Sequence, residues 1–164
     1  MSNLWNTPGI PHRGWTLDEV YDVRADGESV DETDYQKCEM CGNERIRFVH
    51  IVSHPDMDNQ LSVGCVCSEK MTNDYINPRR LEKELKKRAA KRNTWAKKNW
   101  RINENGNYFL KTQGRFLLIY KDKRTRKFRF IIDDNLDEKY FDKKHFDTLD
   151  KAKIAVFNKV EDDK

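Results

Sequence analysis

From Leu81 onward, apolar residues recur every three or four positions. Leu81, Leu85, Ala89, Trp95, Ala96 and Trp100 fall on one face, and basic residues cover the rest. That period predicts a long amphipathic helix, with Pro78 well suited to its first position. The stretch Asn103–Asn107, with Gly106 inside it, breaks the pattern. Beyond it, NYFLKT, RFLLIYK and KFRFIID are rich in aromatic and β-branched residues. They are separated by Gln113-Gly114 and by the basic turn DKRTR, and they predict three strands. After a charged loop, HFD adds a short strand, and Asp147 caps a final helix. On that helix Leu149, Ala152, Val156, Phe157 and Val160 share a side that can cover the sheet.

The first half is less regular. Residues 1–14 hold Pro8, Gly9, Pro11 and Gly14 and read as an irregular arm. The segment WTLDEVYDV carries two signals: Thr16 with Glu19 fits a helix capping box, while Trp15, Leu17, Tyr21 and Val23 suit a half-buried strand. RIRFVHIVS, the turn-like HPDMDN and the return segment QLSVGCVC predict a β-hairpin. Ser68 is placed to cap a helix, SEKMTNDY, beginning just past the second cysteine pair. Four segments result: the arm (1–14), a module at 15–77, a basic linker helix at 78–103, and a β-β-β-α module at 104–164.

Composition bears on what such modules need. Of 164 residues, 37% are hydrophobic and 37% charged, which is lean for one large core and favours a small module stapled by something beyond apolar burial. The opening residues lack the basic cap and apolar run of a secretory signal, and no stretch has the length to cross a bilayer. The expectation is a cytoplasmic protein, where reduced thiols read first as metal ligands. Cys38 and Cys41 form a C-x2-C pair, and Cys65 and Cys67 a C-x-C pair. Four thiolates suit a closed tetrahedral Zn2+ site, which is structural because it keeps no open position. Gly42 allows the tight turn after the first pair, and on an extended strand Cys65 and Cys67 would share a face. His50 and His54 stand in reserve as ligands.

Knuckle, hairpin, then a ligand pair at a helix N-terminus resembles the treble-clef zinc finger from Cys38 to about Tyr75, although the common second pair is C-x2-C. GCVC followed by SEKM, with GW…VYDV and CxxCG…IRFVH…HPD upstream, is also similar to a group of uncharacterised small proteins of phages and bacteria. That likeness implies a zinc site and an intracellular or phage origin, and brings no activity.

Charge is segregated. Residues 16–36 are acidic apart from Arg24, whereas residues 79–101 carry eleven Lys/Arg and two Glu, and residues 115–129 carry seven Lys/Arg and one Asp. Such segregation speaks of partners. Arg79, Arg80, Lys83, Lys86, Lys87, Arg88, Lys91, Arg92, Lys97 and Lys98 make the helix densely cationic, suited to phosphate or else to solvent and the chain's own acidic segment. Trp95 and Trp100 lie on the apolar stripe, which favours core packing over stacking on bases. The final module resembles the plant ethylene-response-factor domain and phage-integrase arm-binding domains, most specifically in its FDT-then-helix stretch. The resemblance implies that the sheet's open face meets a DNA groove, with Arg115, Lys121, Lys123, Arg124, Arg126, Lys127 and Arg129 on phosphates.

Catalysis has weak support. His50, His54, Asp56 and Asn73 are residue types found in His-Asn-His nucleases, which share the treble-clef frame, but no second metal-binding histidine follows in the helix. No phosphate-cradling glycine loop and no nucleophile with a partner set is present. The expectation is therefore an α+β protein: a treble-clef zinc module, a long basic helix, then a three-stranded antiparallel sheet packed on a C-terminal helix. Its expected role is non-catalytic binding of nucleic acid, DNA ahead of RNA, with no membrane or small-molecule substrate. An adaptor for an acidic protein partner is the alternative, and a nuclease the third.

Overall fold

The computed structural model describes residues 3–24, 28–133 and 145–164. It is an α+β structure with two antiparallel sheets and, among the described residues, three α-helices. The chain divides into two compact units, Met1–Ala89 and Ala90–Lys164, and the division falls inside the long helix.

In the first unit, β1 (Thr16–Asp22), β2 (Phe48–Ser53) and β3 (Leu61–Val63) pair in that order. The strand signal in WTLDEVYDV prevails over the capping box, because β1 gains a complete antiparallel partner in β2. A bulge between Leu17 and Glu19 shifts the register. α1 (Cys65–Thr72) follows β3 almost at once, and α2 (Asn77–Ala96) comes after a short turn. Trp15, Met40, Val52, Leu61, Val63 and Met71 form the core together with Cys38 and Cys67. Leu4, Trp5 and Ile10 of the N-terminal arm pack against it, and the Leu4 N–H donates to the Met40 carbonyl at 2.8 Å.

One expected helix start is corrected. α1 begins at Cys65 with Gly64 as its N-cap, and Ser68 lies inside the helix, fully buried. The hairpin's return strand ends at Val63, so the chain turns into helix before the second cysteine pair rather than after it.

In the second unit, β4 (Arg101–Ile102), β5 (Tyr108–Thr112), β6 (Arg115–Lys121) and β7 (Phe128–Ile132) form a four-stranded sheet, and α3 (Leu149–Asp162) packs on β6 and β7. The fourth strand corrects the expected three. It is two residues long, pairs with Tyr108 and Phe109, and falls where the helical period was expected to continue. The β5–β6 hairpin turns through Gln113 and Gly114, both at positive φ, as a two-residue turn matched to strand twist requires. Phe146 of HFD bridges to Phe128. Thr148, rather than Asp147, caps α3: its Oγ1 accepts from the Lys151 N–H at 3.2 Å. Most of the charged loop before it lies outside the described residues.

Leu117, Ile119, Phe130 and Ile132 face Ala152, Val156, Phe157 and Val160 of α3, and Trp95 and Trp100 complete this core. Both indoles are therefore packed inside. The two cores share no residue.

Candidate metal centre and sheet face

The first cysteine pair sits on a tight turn. The Gly42 N–H donates to the Cys38 carbonyl at 2.8 Å, and Gly42 takes φ +82° to close it. Cys67 comes up from the first turn of α1, so that one ligand atom from each of Cys38, Cys41 and Cys67 lies within 4.8 Å of the others. These three can hold a metal ion. Cys38 and Cys67 are buried and Cys41 is exposed. The Gly64 N–H, at the helix start, points at Cys38 Sγ from 3.4 Å. Cys38 gives up its proton readily, at about 5. Cys67 donates a hydrogen bond to it, and the Cys41 and Gly64 N–H groups add to this against the opposing effect of burial. The Cys67 thiol is pushed well up by its bond to Cys38 and by burial. A proton shared between two thiols in this way is what a bound soft cation displaces.

Cys65 is not among these three. On a helix, residues two apart point roughly 200° away from each other, so the expectation of a shared face fails once α1 begins at Cys65. Cys65 instead joins His50 of β2 and Glu82 of α2, again with one ligand atom of each within 4.8 Å. His50 is completely buried and its Nε2 stands 3.1 Å from Glu82 Oε2. Glu82 is held down to about 2 by that bond, against the effect of burial and with help from Lys86. Burial pushes the Cys65 thiol up to about 12, and the charge of Glu82 and the contact with Glu69 push in the same direction. His54 is a turn residue: its Nδ1 accepts from the Asp56 N–H at 3.0 Å and its ring lies against Trp15.

Of the basic residues on α2, Arg79, Arg80, Lys83, Lys86, Lys87 and Lys91 are exposed, as is Lys97 just beyond it, while Arg88, Arg92 and Lys98 are half-buried. Several are ion-paired: Arg79 with Glu69, Arg80 with Glu84, Lys86 with Glu82. In the second unit Arg115 pairs with Asp133. Lys121 lies over the Phe128 ring, and Lys123, Arg124, Arg126 and Lys127 occupy the β6–β7 connection.

Register shows which strand residues share a face. Arg115 and Lys121 share a face with Leu117 and Ile119, the side that α3 covers. On the other side lie Phe109, Phe116, Leu118, Tyr120 and Ile131, with Arg101, Lys111 and Arg129 among them. The apolar members are half-buried, so part of each reaches solvent. Phe109 and Phe116 lie with ring centroids 6.0 Å apart, and Lys111 Nζ stands 5.9 Å from the Phe116 centroid. Of the bases expected on the open face, Arg129 is the one whose register puts it there. Lys111 and the rings were missed, although period-2 alternation along β6 and β5 finds them; Arg101 lies on the two-residue β4, which carries no period to read.

No protein-family model, curated protein or solved structure matches this chain. No described helix is long and apolar enough to cross a membrane.

Proposed function

We propose that this is a non-catalytic, zinc-containing protein that binds single-stranded DNA on the sheet face turned away from α3. The carrying observation is the cluster of Phe109, Phe116 and Lys111, with Tyr120 and Arg129 farther along the same face. Aromatic rings on a sheet surface stack bases whatever their identity, and cations between them meet the phosphates. A double helix hides its base faces, so half-exposed rings favour a single strand over the groove docking expected from the resemblance. Depressions at both ends of β6, one lined by Lys111 and Phe116 and the other by Asn107 and Tyr120, extend the same track.

Zinc is the metal that suits Cys38, Cys41 and Cys67: soft thiolates, two of them buried, meet at a turn and a helix start, the arrangement that resembles a treble clef. Its role is to hold the first unit together.

Fluorescence anisotropy with a short labelled single strand, its duplex and the matching RNA tests the reading. F109A and F116A should each weaken strand binding by about 1–3 kcal/mol. K111A should lower the salt slope by about one. Absence of binding at low salt, or binding indifferent to all three substitutions, sinks the reading and returns the basic surface to an acidic protein partner.

A further inference from the structure

We infer that His50, Cys65 and Glu82 form a second transition-metal site, separate from the three-cysteine group. Three donors of different kinds, an imidazole nitrogen, a sulfur and a carboxylate oxygen, come from three different elements and converge within 4.8 Å of one another. Chance acidic clusters are exposed and of one chemistry. This group contains a fully buried histidine, a half-buried cysteine and a carboxylate whose side chain is 16% exposed. Nitrogen, sulfur and oxygen together match the ligand range of Zn2+ and of Co2+.

The surroundings are prepared in the same sense. Glu69, itself 2% exposed, places Oε1 3.5 Å from Cys65 Sγ, and Arg79 holds that oxygen from the other side at 2.9 Å. Lys86 grips the second Glu82 oxygen at 2.7 Å, which leaves Oε2 toward His50. Two carboxylates are thus oriented around one thiol. The group opens on a groove of about 330 Å³ that is lined by Cys65 and Glu82 and also by Cys41 and Cys67 of the other group. Three protein ligands with a groove beside them leave a coordination position for an exogenous ligand, as a closed four-sulfur site does not.

Metal stoichiometry of the full chain, refolded with excess Zn2+ and read by native mass spectrometry, tests this. Wild type should carry two ions. C65S and E82Q should each carry one, and C38S should lose the other ion only. With Co2+, C65S should keep most of the thiolate charge-transfer absorption and C38S should lose most of it. Circular dichroism screens each variant for folding, and E82Q at the rim serves if C65S fails. A single ion that C38S removes and E82Q spares overturns the second site. If C65S removes that same ion as well, Cys65 is the fourth ligand of one four-cysteine centre. A wild type without metal overturns both this site and the zinc reading. A single ion lost in E82Q but kept in C38S supports the site inferred here and removes zinc from the three cysteines.

Discussion

Asp122 and Asp133 show how single carboxylates organise the two opposite ends of the β6–β7 pair. Asp122 Oδ1 accepts from the Arg124 N–H at 2.8 Å and the Thr125 N–H at 3.3 Å; these bonds lower its pKa, burial opposes them, and His145 adds a smaller contribution. For Asp133, burial raises the pKa, but the Phe116 N–H and Arg115 outweigh it and the net direction is down. Both carboxylates are therefore more acidic folded than unfolded. Their stabilisation is complete above the unfolded value near 4 and is lost as pH falls through the lowered folded values. Asn keeps the acceptor oxygen and removes the titration. The D122N/D133N double variant should flatten the loss of Tm below about pH 4, read in the second unit by hydrogen exchange. An acid limb as steep as wild type would show that these contacts are not what acid breaks. The same scale explains Cys65. The spacing of the cysteines was legible, but which thiols meet depended on one residue's conformation, helical rather than extended, and spacing alone does not carry that.

At the scale of elements, strong periodicity proved readable and marginal elements did not. The stripe from Leu81 to Ala96 and the three longer strands of the second sheet were clear because each repeats its pattern several times. β4 has two residues and no period, and β1 offered both helix and strand chemistry until its pairing with β2 decided the matter. Helix ends were off by a residue or more, because any Ser, Thr or Asp near a boundary reads as a cap. Thr148 rather than Asp147 is the residue whose hydroxyl reaches the Lys151 N–H. T148A should therefore cost the second unit about 1 kcal/mol. D147A should cost clearly less, because the contact Asp147 makes among the described residues is an exposed ion pair with Lys127 at 3.3 Å. Equal losses in urea melts of the two variants would move the cap back to Asp147.

At the scale of the molecule, the two hydrophobic clusters define separate stability problems. The first includes Cys38 and Cys67 among its own core residues, so the metal ligands and the apolar packing are one structure. The second contains no cysteine and closes around Trp95, Phe130 and Phe157. A structural zinc contributes about 10–16 kcal/mol in small domains, more than the net stability of most units this size. Removing metal with a chelator should therefore abolish hydrogen-exchange protection in β2, β3 and α1 while leaving β5, β6, β7 and α3 protected. The C38S/C65S double variant, which removes a ligand from each group, should do the same without chelator. If single-strand binding belongs to the second sheet, it should survive both treatments, with at most the loss of whatever the basic face of α2 adds. Simultaneous loss of protection in both units, or loss of DNA binding along with the first, would mean that the metal holds more than its own core and that the strand is gripped by more than the Phe109–Phe116 face.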